Sequence, residues 1–250
     1  MPVALIPARP PRLSRDALAR AAPSAGSLGH DAFGLSLDTL ARAVPVLEWL
    51  KGALPVVATG LDELPESGPT LLLTNHAGPL PLGALALAAA LLLDTRAPRL
   101  PRVELEPWAA SAPWVGLLLR RLGHVVSQPR NLAALLEQGE LAVHAPPAAL
   151  AGRGLGPFRR EALRLALRAR ATVIPVGIRG ASAVLPVWRL RGLGALLGTR
   201  TPPFIITGLP RRSEVRIALG KARRLETDLE GPELDEAALA LEDEIASLLA

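Results

Sequence analysis

The sequence predicts an α/β domain, three layers deep around a mainly parallel sheet, and three observations carry that prediction. Short apolar runs rich in Leu and Val recur without polar alternation, as strands covered on both faces do. They alternate along the chain with segments of helical periodicity, the pattern of βαβ units. Finally, 250 residues at 50% hydrophobic and 20% charged supply one good core and fit one domain better than two.

Taken in order, residues 1–30 are rich in Pro, Ala and Arg and end in the breaker Ser24-Ala25-Gly26-Ser27. They read as a mobile or loosely docked leader with one short helix, Ser14 to Ala22, before a single domain over 31–250. Leu37, Leu40, Val44 and Leu47 recur at helical spacing behind Ser36, which predicts a capped amphipathic helix over Leu37 to Leu50 that Pro45 can kink. Strands are predicted at Val56 to Thr59, Leu71 to Thr74, His124 to Ser127, Leu141 to His144 and Thr172 to Ile178. The helices between them are predicted at Leu82 to Leu93, Pro113 to Leu122, Asn131 to Glu137 and Arg159 to Arg170. Two later strands, Phe204 to Thr207 and Val215 to Leu219, precede a helix opened by Pro232, on which Leu234, Ala238, Leu241, Ile245 and Leu248 share a face.

Composition excludes several chemistries. There is no Cys, so disulfides, thiolate nucleophiles and Cys-ligated zinc are out, and the four His lack the paired spacing of a metal site. No metal and no resident cofactor are expected. The start of the chain, broken by Pro2, Pro7, Pro10 and Pro11, joins no basic segment to an apolar run, so a cytoplasmic location is expected. The longest apolar run, Pro79 to Leu93, falls short of a bilayer span.

The net charge of +5 conceals an asymmetry: all 28 bases precede residue 225 against 14 acids, a net of +14, and nine acids follow with no base. A basic body suits phosphate-bearing partners, although 26 of the bases are Arg in a chain equally rich in Ala, Gly, Pro and Leu, a bias that composition alone can produce. Nucleic acid is not an expected partner, because aromatics are 3% with no Tyr for stacking and the electrostatics stand alone.

One arrangement points to chemistry. Leu71-Leu72-Leu73-Thr74-Asn75-His76-Ala77-Gly78-Pro79-Leu80-Pro81 is a buried strand that delivers Asn-His to a Gly/Pro turn before a helix, and open α/β sheets place their sites at such strand ends. A His there serves as a general base near neutral pH when a partner holds its ring. On spacing alone, a lone His at a strand end is more often a turn or capping residue.

From His30 onward the chain resembles the glycerolipid and lysophospholipid acyltransferases, in particular bacterial members whose Asn-His block continues Gly-x-Leu-Pro. The resemblance rests on the order of several blocks: His30-Asp31-Ala32-Phe33-Gly34-Leu35, the Asn75-His76 block, Pro113-Trp114-Val115-Gly116 through Leu122-Gly123-His124-Val125 with Asn131, and Val173-Ile174-Pro175-Val176 through Gly180-Ala181. It implies an acyltransferase fold and transfer of an acyl group from acyl-coenzyme A or acyl-carrier protein to a lipid hydroxyl. In that reading His76 is the general base and Asn75 and Gly78 flank it. His144 and Pro146 stand where the family carries Phe-Pro-Glu-Gly, and Arg130, Arg159 and Arg160 are candidates for the acceptor's phosphate. Peripheral contact with a membrane is the implied partnership, through the Leu82 to Leu93 segment, Trp108, Trp114 and neighbouring Arg.

The chain departs from the family at both acids. The Asp that orients the family His would fall on Pro81 or Gly83, and the block's Glu on Pro147. Glu104, Glu106, Asp31 and Glu161 are candidate replacements that spacing cannot place. His144 ends a strand parallel to the one before His76, so the two can share a cleft or His144 can simply line its wall. The sequence therefore supports either an acyltransferase with an altered site or a non-catalytic relative that binds acyl and lipid groups.

Overall fold

The structure, a computed structural model, describes residues 13–75, 82–145, 160–185, 187–189, 204–206, 208, 211, 213–225 and 231–250. Helix α1 (Arg15–Ala21) begins where the Ser14 hydroxyl accepts a hydrogen bond from the Ala17 amide at 3.1 Å, and α2 (Leu37–Ala53) begins in the same way at Ser36. Each cap satisfies an amide that the first turn leaves without a carbonyl. Pro45 sits inside α2 without ending it.

Four strands run from the first half of the chain, β1 (Val56–Thr59), β2 (Thr70–Thr74), β3 (Pro101–Leu105) and β4 (Val125–Val126). Four more belong to the sheet from the second half, β5 (Leu141–His144), β6 (Thr172–Arg179), β9 (Val215–Leu219) and β10 (Arg223–Arg224), while β7 (Val187–Arg189) and β8 (Phe204–Ile206) form a separate antiparallel pair. The large sheet has the order β1-β9-β6-β2-β5-β3-β4. Strands β6, β2, β5, β3 and β4 are mutually parallel; β9 joins β6 antiparallel, and β1 joins β9 in parallel. The mainly parallel α/β architecture expected from the sequence is thus the one observed.

Pro175 lies within β6 at the point where its neighbour changes from β10 to β9, and its carbonyl accepts the Gly220 amide at 2.8 Å. A proline is tolerated in this central strand because the ladder on that side is interrupted there.

Helices cover both faces. On one, α6 (Pro129–Glu137), α7 (Arg160–Arg168) and α9 (Gly231–Leu248) bury Leu132, Leu135, Leu163, Ala166, Leu234 and Leu241 against Leu71, Leu73 and Val173. On the other, α3 (Leu82–Leu93) and the short α8 (Ala181–Val184) pack on Leu72, Val143, Ile174 and Val176. The remaining short helices, α4 (Pro107–Ala110) and α5 (Val115–Arg121), follow β3.

Helix α3 is apolar all round because it is buried twice. Ala86, Leu87, Ala90 and Leu91 face the sheet, while Ala89 and Leu92 face α1 and α2. A helix without a polar side needs such double cover, and among the described residues no helix is long and apolar enough to cross a membrane.

One expectation is corrected. Residues 13–30 are not loosely docked: Leu18, Ala21, Ala22 and Ala25 are buried with Leu35, Leu40, Ala89 and Leu100, and the Leu100 amide bonds to the Ala21 carbonyl at 2.9 Å. High Pro and Ala content concealed a small apolar face that α2 and α3 need for their own cover.

Candidate active site

The parallel strands all end on one edge of the sheet, and there the structure places two of the residues singled out from the sequence. Asn75 follows β2 directly. Its amide nitrogen donates to the Ile178 carbonyl at 2.9 Å and its oxygen accepts the Ile178 amide at 2.7 Å. The side chain thus imitates one more rung of the β2–β6 ladder and fixes the point where the chain leaves the sheet. His76, Gly78, Pro146 and Arg159 lie outside the described residues. Of the two positions where the resemblance places the family's acid, Pro81 also lies outside the described residues and Gly83 is a buried residue in the first turn of α3.

His144 ends β5, opposite Leu73 of the parallel strand β2. Its ring is 5% exposed, and Nδ1 pairs with the Glu104 carboxylate, itself 7% exposed. The pairing follows from register: β3 lies beside β5 with Val103 opposite Val143, so the next residues, Glu104 and His144, emerge on the same side. A carboxylate can only accept, so a neutral ring carries its proton on Nδ1 and leaves Nε2 as the acceptor. Nε2 is buried and has no hydrogen-bond partner among the described residues.

A pocket between the sheet edge and helices α6 and α7 is lined by His144, Glu104, Ser127, Gln128, Leu132 and Glu161 together with apolar atoms of the two helices. Glu104 and Glu161, two of the four candidate replacement acids, therefore reach this pocket. Asp31 does not; it is held elsewhere, as described below. Of the candidate phosphate ligands, Arg130 is exposed in the first turn of α6 and Arg160 pairs with Asp235 of α9. Among the described residues no cluster of three His, Asp or Glu side chains is arranged to hold a metal ion.

The opposite edge of the sheet holds a second set of buried charges that the sequence did not reveal. Arg102, fully buried in β3, donates from Nε to the Gly123 carbonyl at 2.7 Å, from Nη1 to the Ser24 hydroxyl at 2.9 Å and from Nη2 to Asp31 at 2.5 Å, with Glu140 at 3.5 Å. Gly123 has φ +100°, and a Cβ there would stand 2.8 Å from Leu100, so only glycine brings this carbonyl to the guanidinium.

Burial alone would raise the Asp31 carboxyl, but the Arg102 charge and hydrogen bonds from Arg102, Leu35 and Phe33 outweigh it and hold the group below its ordinary value. Arg99 is spread over Thr70 and the carbonyls of Gly68 and Gly139 at 2.7–3.0 Å. His124 is fully buried beside this network. Burial pushes it down to about 4, against a hydrogen bond to the Val103 backbone and with the help of the Arg102 charge.

The signal that could have found these groups is weak. Arg102 and Glu104 alternate with Val103 and Leu105 in a segment that begins with Pro101. Read as a strand, it would have placed two charges on one covered face and demanded partners for both.

Three comparisons bear on this geometry. The sequence profile of a family described as Acyltransferase matches residues 55–179. An uncharacterised protein of Mycobacterium leprae is 30% identical over 193 residues, 69% of this chain and 52% of that protein. An uncharacterised protein of Mycobacterium tuberculosis is 28% identical over 218 residues, 78% and 60% of the respective chains. The chain thus spans between half and three-fifths of the length of these curated relatives. Among solved structures, the 1-acyl-sn-glycerophosphate (LPA) acyltransferase PlsC of Thermotoga maritima superposes with a TM-score of 0.51 and 17% identity, over 83% of this chain and 79% of that one.

Proposed function

Because the chain belongs to the acyltransferase family, we propose that it transfers a fatty acyl group from an acyl thioester, acyl-coenzyme A or acyl-carrier protein, to the hydroxyl of a glycerolipid or lysophospholipid. The observation that carries this reading is the Asn75 clamp on Ile178, which holds the strand end from which His76 follows. His76 removes the proton of the acceptor hydroxyl. The hydroxyl oxygen then attacks the thioester carbonyl, a C–O bond forms, the C–S bond breaks, and the departing thiolate takes up the proton. The thioester is the co-substrate, and no resident cofactor or metal takes part.

Contact with a lipid surface is part of the proposal. Trp114, 87% exposed, stands with Val115, Leu117 and Leu118 on the outward side of α5, beside the exposed Arg120 and Arg121. This mixture of apolar and basic groups suits the interfacial layer of an anionic bilayer. One observation favours a second reading, that the chain binds these groups without turning them over: of the two positions the resemblance gives for the family acid, one is Pro81 and the other is Gly83, buried in α3, and neither side chain can orient an imidazole.

The deciding experiment measures free thiol released from a panel of acyl-coenzyme A donors, with lysophospholipid acceptors in vesicles and with glycerol phosphate, for wild type and His76→Ala. Turnover that needs the acceptor and falls by about 10² or more in the variant supports the transferase, that being the ordinary contribution of a general base. Equal background in both proteins, with the protein sedimenting on the vesicles, supports the binding module instead.

A further inference from the structure

A paired imidazole and carboxylate stand at the strand ends, apart from the His76 that the transfer reading uses. His144 Nδ1 donates to Glu104, both side chains being buried, so the neutral ring keeps its lone pair on Nε2. Such a pair holds a fold together no better than apolar side chains of the same size, and its place at the ends of parallel strands points to chemistry. Nε2 is itself buried and has no hydrogen-bond partner among the described residues, which calls for a held water or a chemical task. The space beside the ring has room for about one water molecule. Ser127 and Gln128 line that space and offer the further polar groups that a held water needs.

We infer that the His144–Glu104 dyad gives this protein a further activity, hydrolysis of an acyl thioester by water. Nε2 takes a proton from the water, whose oxygen attacks the thioester carbonyl. A C–O bond forms, the C–S bond breaks, and the proton passes from Nε2 to the departing thiolate, leaving a free fatty acid and a thiol. The inference rests on the proposed function for the thioester alone; the nucleophile is water and not a lipid hydroxyl. His144 lies opposite Leu73 of β2, the strand that leads to His76, so a thioester brought to this edge of the sheet for transfer also meets the end of β5. Glu104 acts through the ring and is a positioning residue, since it fixes which nitrogen accepts and stabilises the imidazolium that forms.

The test measures thiol release by the full chain from the acyl-coenzyme A panel of the transfer assay, without any acceptor and in water enriched in ¹⁸O. Wild type is compared with His144→Gln, Glu104→Gln and His76→Ala, each shown to be folded by circular dichroism. The expected result is release above the spontaneous rate with ¹⁸O in the fatty acid, a fall of about 10² in His144→Gln and a smaller fall in His76→Ala. Glu104→Gln lowers kcat for this release by about 10² or more, because the ring is then free to take the wrong tautomer. The KM for the donor stays as in wild type, which a loosened site would not preserve.

Release at the spontaneous rate in wild type, beside transfer that depends on His76, overturns the hydrolysis and leaves the transferase standing. Release that falls in His76→Ala and not in His144→Gln, or that no variant alters, overturns the dyad. Release that needs His144, with no transfer to any acceptor, supports the hydrolysis and defeats the transferase.

Discussion

Arg102 and Glu104 are two residues apart on one face of β3, both deeply buried and both charged, yet the structure treats them in opposite ways. Each of the three guanidinium nitrogens of Arg102 has an oxygen partner, and the Phe33 ring lies 5.9 Å from its centre. Glu104 has one imidazole, and that imidazole keeps a buried nitrogen without a partner among the described residues. The first arrangement lies toward the edge where the parallel strands begin and the second at the edge where they end. Around Arg102, Glu140 Oε2 and His124 Nδ1 lack a hydrogen-bond partner among the described residues, as His144 Nε2 does. What separates the two ends is therefore the number of partners of the central charge, and a guanidinium held by three elements holds the fold together.

The comparison breaks first at Arg102. Replacing it with Ala leaves Asp31, 2% exposed, without its cation and leaves Glu140, 0% exposed, with only the charge of Arg99 nearby, and the cost of such a change is about 3–5 kcal/mol. Chemical denaturation is expected to show a loss of this size, or no folded protein at all; a loss below about 1 kcal/mol would mean that the network is not structural.

The same edge should make the protein sensitive to mild acid. His124 binds its proton at about 4 in the folded chain and at 6.5 when unfolded, so the unfolded state takes up protons first as pH falls. Stability is full above pH 6.5, declines by about 2 kcal/mol between pH 7.5 and pH 5, and levels off below 4. Asp31 acts lower: held below its ordinary 3.8, it contributes stability above that value and loses it as pH falls further. Urea titrations at pH 7.5 and 5 should show the decline in wild type and a smaller one in His124→Gln.

The smallest effect on stability is expected at the other end of β3. Glu104→Gln leaves an amide oxygen that still accepts from Nδ1, so the change costs about 1 kcal/mol. A loss comparable to that of Arg102→Ala would place Glu104 with the structural charges and erase the contrast.

Where the sequence was legible, one period dominated. Leu82–Leu93, Leu141–His144 and Val215–Leu219 have the bounds their apolar runs announce. It was illegible where burial and polarity coincide. Strand β3 opens with Pro101 and carries Arg102 and Glu104, and no periodic pattern recognises a strand whose covered face holds charges partnered by Ser24, Asp31 and His144. The candidate site was half legible for the same reason. Asn75 and His144 stand out at the ends of apolar runs, but the acid that sets the His144 ring is forty residues away in sequence, and only the β3–β5 register brings it there. The docking of residues 13–30 was hidden because four small or single apolar side chains suffice to seal α2 and α3.

The Arg102 network also sets an order of events during synthesis. Ser24 meets Glu140 across 116 residues of chain, and Asp31 meets Arg102 across 71. Residues 24–31 are therefore made long before they find their place, because their partners follow much later in the chain and contacts this distant close slowly. Until α3 and Leu100 have emerged, the apolar face of α1 has no complete seat, and until Glu140 has emerged the Ser24 amide lacks its buried acceptor.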